Sequence, residues 1–221
     1  MPVTDTSQQD ASAAGGIRHS RAAHPLTGST VAGDEAAAGN VRTAHISQNS
    51  QNGSTVRYRA AIICASDRCF QGLHEDRSSP IIAEMLTGQG YEITATVMLP
   101  DEYEALQKAM ANIADEGSAD LIVTTGGTGL APRDITPEAT TAVIDRAVPG
   151  IPEAMRAESM KITPHGMLSR GIAGIRKRTL IINLPGSPKA VKETLSCILP
   201  ALDHALLMLT GDTQDCAATK A

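Results

Sequence analysis

From residue 59 to residue 210 the apolar and polar positions fall into a repeating pattern; before residue 59 they do not. Residues 59–65 read Arg-Ala-Ala-Ile-Ile-Cys-Ala, an unalternating small and aliphatic run that predicts a buried strand. Ser79-Pro80 then opens a helix with Ile81, Ile82, Met85 and Leu86 on one face, and Gly88 and Gly90 end it. Residues 91–99 alternate Ile93, Ala95 and Val97 with Glu92, Thr94 and Thr96, which predicts a strand at an edge or half covered. After Pro100-Asp101, where Asp101 could cap, Tyr103, Leu106, Met110 and Ile113 recur at helical spacing. Leu121, Ile122 and Val123 form a second buried run, and Thr136 as N-cap with Pro137 opens a helix predicted over 136–146. Another helix follows the Pro149-Gly150-Ile151-Pro152 turn and ends near Lys161. Pro164-His165-Gly166 breaks the chain, and Gly171, Ala173 and Gly174 allow close packing. Residues 179–183 give another buried strand. The last helix starts at Pro188 behind Ser187, and Pro200 is expected to restart or kink it. Strands alternating with helices predict an α/β fold, a single three-layer domain with a mostly parallel sheet flanked by helices.

Composition narrows the picture. Of 221 residues 42% are hydrophobic, but there is one Phe, three Tyr and no Trp, so the core must be aliphatic. A net charge of −5 and a pI of about 5.7 argue against nucleic acid as a partner, since phosphate binding needs a basic face. No apolar run approaches the roughly 18 residues of a membrane span, and the start lacks the apolar core of a secretory signal. The expectation is a cytoplasmic protein with no membrane partner. Cys64 (strand), Cys69 (loop), Cys197 (helix) and Cys216 (tail) have no C-x-x-C spacing and read as isolated, reduced thiols. Residues 1–55, rich in Ala, Ser, Thr, Gly, Gln and Asn, read as a disordered extension; residues 56–211 are the folded domain and 212–221 a flexible tail.

Candidate chemistry sits where strands end. In an open parallel sheet, ligands gather beyond the carboxyl ends of the strands. Three such places stand out: Ser66-Asp67-Arg68, the loop after Thr124-Thr125, and Leu184-Pro185-Gly186-Ser187-Pro188. In the second, Gly126, Gly127 and Gly129 permit positive φ and close approach, Thr124, Thr125 and Thr128 add hydroxyls, and the helix start behind them suits an anion. Arg133 and Asp134 could meet a phosphate and a metal there. The loop is neither G-x-G-x-x-G nor G-x-x-x-x-G-K-[ST], so spacing alone leaves open a plain turn between strand and helix. Lys189 opposes the dipole of its helix, which favours an anion nearby.

T-T-G-G-T-G followed by P-R-D-x-T-P-E-A resembles the signature of the molybdopterin-binding family of molybdenum cofactor biosynthesis, which includes bacterial molybdopterin adenylyltransferases and the related domain of gephyrin. S-D-R at Ser66, L-S-R ending at Arg170 and N-L-P-G-S-P from Asn183 follow the same family's order, over residues 58–211. The resemblance implies transfer of AMP from ATP to the molybdopterin phosphate with release of pyrophosphate, and a homotrimer that hands its product to a molybdenum insertase. It implies functional roles for Asp101 and Asp134, here read as Mg2+ ligands because bare carboxylates would repel two anionic substrates. It places Ser169 in the active site. Substrate contacts are expected from Ser66, Asp67, Thr124, Thr125, Gly126, Gly127, Thr128, Gly129, Arg133, Arg170, Pro185, Gly186, Ser187 and Lys189. The alternative is a relative that binds or carries molybdopterin without adenylylating it.

Overall fold

The structure, a computed structural model, describes residues 58–211; the extension and tail expected at 1–55 and 212–221 lie outside the described residues. In chain order the elements are β1 (Tyr58–Ala65), α1 (Asp67–Phe70), α2 (Ser78–Gly88), β2 (Tyr91–Leu99), α3 (Tyr103–Asp115), β3 (Leu121–Thr125), α4 (Thr136–Thr141) and β4 (Arg146–Ala147). They continue with α5 (Gly150–Ile162), a 3-10 turn (Pro164–Leu168), β5 (Ala173–Arg176), β6 (Thr179–Leu184) and α6 (Pro188–Thr210). One six-stranded sheet has the order β2-β1-β3-β6-β5-β4. The first four of these strands are parallel, and β5 and β4 run antiparallel at the far edge.

The two faces of the sheet bury two aliphatic clusters. Ile62, Val123 and Ile182 meet Ile82 and Leu86 of α2, Met155 of α5 and Leu195 of α6 on one side. Ile63, Ile122 and Ile181 meet Leu106 and Met110 of α3 and Ala139 of α4 on the other. Each fully buried Ile or Leu contributes about 1.5–3 kcal/mol of transfer free energy, so covering both faces is what makes the unalternating strands stable. β2 lies at the sheet edge, as its alternation implied. Register does the positioning: Cys64 pairs with Thr125, and Thr125 with Leu184. The chain therefore leaves β1, β3 and β6 at one level, and the three loops that follow emerge side by side.

Several local expectations need correction. The helix expected over 136–146 ends at Thr141. Thr140 and Thr141 turn their hydroxyls back to the carbonyls of Thr136 and Pro137, both at 2.8 Å, and the chain is then drawn onto the sheet edge by Asp145 N–H donating to Ile175 O at 2.7 Å. Thr136 is the first helical residue, not the cap, which is Ile135. Asp101 does not cap α3 either; Glu102 stands at that position and makes no side-chain cap bond. Cys69 lies in the one-turn helix α1, whose amide at Cys69 donates to the Ser66 hydroxyl. α6 runs unbroken past Pro200, whose ring is on the exposed side. Of the antiparallel pair, β4 takes Arg146, expected as the end of the helix over 136–146, and β5 takes Ala173 and Gly174, expected only to allow close packing. Gly174 explains that reading: a β-carbon there would come within 2.5 Å of the Ile144 side chain. No helix among the described residues is long and apolar enough to cross a membrane.

Candidate active site

The three loops enclose a cleft of about 230 Å³ bordered by Ser66, Asp101, Thr125, Gly127, Asp134 and Gly186. Its floor is a three-layer stack of backbone. A β-carbon on Gly126, at φ +97, would lie 2.2 Å from the Ala65 carbonyl, and one on Gly186 would lie 3.2 Å from Gly126 Cα. The first contact alone requires glycine at 126. Gly126 N–H donates to Leu184 O at 3.3 Å, which ties the second and third loops together.

Acidic side chains crowd the wall on the α1 side. Asp67 and Asp101 exchange bonds: the Asp67 amide donates to Asp101 Oδ2 at 2.9 Å, and the Asp101 amide donates to Asp67 Oδ1 at 3.1 Å. Arg133 forks onto Asp67 with bonds of 2.8 and 2.7 Å. This guanidinium holds the Asp67 carboxyl below its usual range. Asp101 shifts the other way, chiefly because it is partly buried and further because Asp67 and Asp134 lie close. Asp101 Oδ1 is buried and has no hydrogen-bond partner in the protein. Asp134 Oδ2 accepts the Ala131 amide at 2.7 Å and sits 2.9 Å from where a β-carbon on Gly129 would be.

Other expected site residues are engaged with the protein itself. Thr124 and Thr125 belong to β3 and not to the loop. The Thr124 hydroxyl accepts from Asn183 Nδ2 at 3.0 Å, and that of Thr125 donates to Pro185 O at 2.8 Å. Thr128 is buried, and its carbonyl accepts the Arg170 amide at 3.0 Å. Arg170 is a clamp: Nε donates to Gly129 O at 2.7 Å, one terminal nitrogen pairs with Glu138 and the other donates to Asp134 O. It holds the glycine loop against α4. Ser169 borders a separate, mostly apolar cavity of about 190 Å³ with Met155, His165, Pro185 and Thr194. Pro185 thus lines one cavity and Gly186 the other, and the loop they share is the partition. Ser187 stands at the cap of α6 without a side-chain bond, and Lys189 is exposed, 3.9 Å from Glu193.

Three contributors carry no site role in the sequence reading. Asp76 Oδ1 accepts the amides of Ser78 and Ser79, both at 3.0 Å, and so sets the start of α2 at the rim of the cleft. Its signal was present as an acid two residues before Ser-Ser-Pro. Arg156 donates to Gly171 O at 3.0 Å and steadies the segment carrying Ser169; nothing in a helical run marks it. Asn183, 1% exposed, also donates to the Thr140 hydroxyl at 2.9 Å and joins β3, β6 and α4; a polar residue closing an aliphatic strand was the sign. Cys64, Cys69 and Cys197 are free thiols.

Loops at the carboxyl ends of a parallel sheet, bordering one cleft with Asp101 and Asp134, define an α/β protein with its candidate site where such sheets gather ligands. The family described as the probable molybdopterin binding domain matches residues 61–204, and the chain belongs to that family. It is 43% identical over 158 residues to a molybdopterin adenylyltransferase of Helicobacter pylori, covering 68% of this chain and 87% of that one. To the Escherichia coli molybdopterin adenylyltransferase it is 42% identical over 146 residues, covering 65% and 74%. Among solved structures, the molybdopterin biosynthesis enzyme MoaB of Thermus thermophilus superimposes with a TM-score of 0.67 at 48% identity, over 70% of this chain and 98% of that one.

Proposed function

We propose that this chain is a molybdopterin adenylyltransferase that joins ATP and molybdopterin into adenylylated molybdopterin and pyrophosphate. The observation that carries the reading is the convergence of Asp101 and Asp134 with three backbone loops on one cleft, in a chain over 40% identical to proteins of that name. In the reaction, a terminal phosphate oxygen of molybdopterin attacks the α-phosphorus of ATP, a new P–O bond forms, and the bond to the β-phosphate breaks. A phosphate monoester has a second pKa of about 6, so the nucleophile is largely ionised at neutral pH and needs no general base. The work left to the protein is alignment and charge.

The residues present fit a divalent cation. Asp101 Oδ1 is a buried acceptor without a donor, and burial, together with the charges of Asp67 and Asp134, opposes ionisation of that carboxyl, an imbalance a cation relieves. Asp101 and Asp134 would hold Mg2+ together with substrate phosphates, since no three acids, histidines or cysteines form a cage among the described residues. When bound, Mg2+ would neutralise phosphate and leaving-group charge. Gly126 and Gly127 border the same cleft, the Gly126 amide being committed to Leu184 O. Arg170 keeps their turn in place from behind, and Arg133 holds Asp67 ionised next to Asp101. The shared Pro185–Gly186 partition supports a division in which the polar cleft takes the triphosphate and the apolar cavity beside Ser169 takes the pterin, their phosphates meeting at the partition. A cytoplasmic location fits ATP as substrate. A homotrimer and hand-over to a molybdenum insertase belong to the same reading, supported by the exposed Leu130, Met167 and Leu168 beside Gly129 and Ser169 in the chain.

Asp134→Ala tests the reading. It is expected to abolish pyrophosphate release from ATP and Mg2+ while leaving molybdopterin affinity within about threefold, because Asp134 faces the polar cleft and not the cavity of Ser169. Equal loss of pterin binding would refute the division of roles. A chain that binds molybdopterin but releases no pyrophosphate under any divalent ion would be a carrier.

A further inference from the structure

Among the described residues, three buried side-chain oxygens or nitrogens find no hydrogen-bond partner in the protein, and two of them flank one point. Thr136 Oγ1 and Asp101 Oδ1 lie 2.3 and 3.2 Å from the position that a β-carbon on Gly127 would occupy. Thr136 is 0% exposed, and its backbone is pinned on both sides. Its amide donates to Gly127 O at 3.1 Å, and its carbonyl accepts the Thr140 hydroxyl at 2.8 Å. A β-branched side chain on so fixed a backbone has few rotamers, so the hydroxyl stays beside the carboxylate. A buried hydroxyl without a partner destabilises the resting fold, and valine would fill the same volume without that cost. The hydroxyl is therefore not explained by packing.

We propose that Thr136 is a positioning residue for Asp101: in the substrate-loaded enzyme its hydroxyl donates to Asp101 Oδ1 and fixes the direction in which that carboxylate faces the cleft. Gly127, at φ +61, leaves the gap that lets the two oxygens approach. A carboxylate oxygen has two lone-pair sites, so Oδ1 can take this proton and still face a cation, while Oδ2 keeps the Asp67 amide. The inference rests on Asp101 being an active-site carboxylate, and its test separates the two claims.

The test compares Thr136→Val, Thr136→Ser, Asp101→Asn and the Val–Asn double variant by kcat and KM for AMP transfer and by thermal melting. Thr136→Val is expected to lower kcat at least about tenfold with KM for ATP within about twofold, since a hydrogen bond to a charged group is removed. It is also expected to melt at or above the wild-type temperature, which a merely structural hydroxyl would not allow. Thr136→Ser should recover most of the lost rate. On the Asp101→Asn background, Thr136→Val should add no further loss, because the partner is already gone. The proposal is overturned if Asp101→Asn is crippled while Thr136→Val keeps its rate, or if the two losses multiply. An active Asp101→Asn enzyme would instead remove the reading of Asp101 itself, and this proposal with it. Should Thr136→Val melt well below wild type, Thr136→Ala repeats the rate comparison without added bulk.

Discussion

The two ends of the parallel strands carry the same side-chain chemistry, basic groups beside aspartates, and complete it to different degrees. At the amino end, Asp120 receives the Arg59 amide at 2.9 Å and the Arg59 guanidinium at 3.3 and 2.9 Å, so both its oxygens are engaged. Asp115 is held by Arg176 at 2.6 Å and Lys177 at 2.7 Å, and its carboxyl is lowered to about 2. At the carboxyl end, Asp67 is forked by Arg133, yet its neighbour Asp101 keeps one buried oxygen bare and is shifted upward by burial and by the acids around it. A saturated carboxylate fastens one element to another. A buried carboxylate left short of donors destabilises the resting protein and is retained where a ligand completes it.

The sharpest way to break this comparison is to neutralise one acid at each end. Asp101→Asn is expected to lower AMP transfer by roughly 10³-fold, the loss of a charge placed for the transition state, with no loss of melting temperature. Asp120→Asn should leave the rate within about twofold and reduce stability by about 1 kcal/mol, roughly 2–4 °C in Tm. Pyrophosphate release and thermal melting on both variants decide the matter. Rate losses of similar size would show that the ends do not differ in kind.

Glycines sharpen the same contrast. Gly126 and Gly117 both have positive φ, +97 and +63, but a methyl group at 126 would strike the Ala65 carbonyl whereas nothing lies within 4 Å at 117. Gly126→Ala should cost about 3 kcal/mol from strain and overlap together, and Gly117→Ala about 1 kcal/mol from the left-handed backbone alone. Urea unfolding midpoints measure both. Equal costs would mean that the stacked turns at the carboxyl end can relax, and that the cleft floor is not rigid.

How far the sequence disclosed these differences depended on whether the signal was local. Unalternating Ile62-Ile63 and Ile122-Val123 announced strands covered on both faces, and the alternation of 91–99 announced the edge where β2 lies. Strand ends with Gly, Ser and Asp pointed to the loops that border the cleft. What stayed hidden was pairing across the chain. Nothing in Arg133 or Arg170 says that each is closed on protein acceptors, because Asp67 is 66 residues from one and Gly129 41 residues from the other. Likewise, a Thr-Pro pair reads as a cap by frequency. Here Ile135 takes the cap position, and the Thr136 hydroxyl lies beside Gly127 instead. The short β4 and β5 carry too few residues for any period to show.

The smallest effect expected is in the pH dependence of stability, and its sign separates the two ends most directly. Asp115 has a folded pKa of about 2, below its unfolded value near 3.9, so the stability it contributes is present above about pH 4 and is lost as pH falls toward 2. Asp101 is raised, so its contribution is fully present below about pH 4 and is lost as pH rises through its folded pKa. Melting curves in chelator from pH 3 to pH 7 should therefore show Asp115→Asn below wild type at pH 7 and Asp101→Asn at or above it, both differences closing toward pH 3. Curves that move in the same direction would contradict the contrast. ATP with Mg2+ should invert the second difference alone: once a cation faces Asp101, its charge favours the loaded protein, and wild type should gain more in Tm than Asp101→Asn. Asp115, already saturated, has nothing to gain, and its variant should follow the wild-type shift.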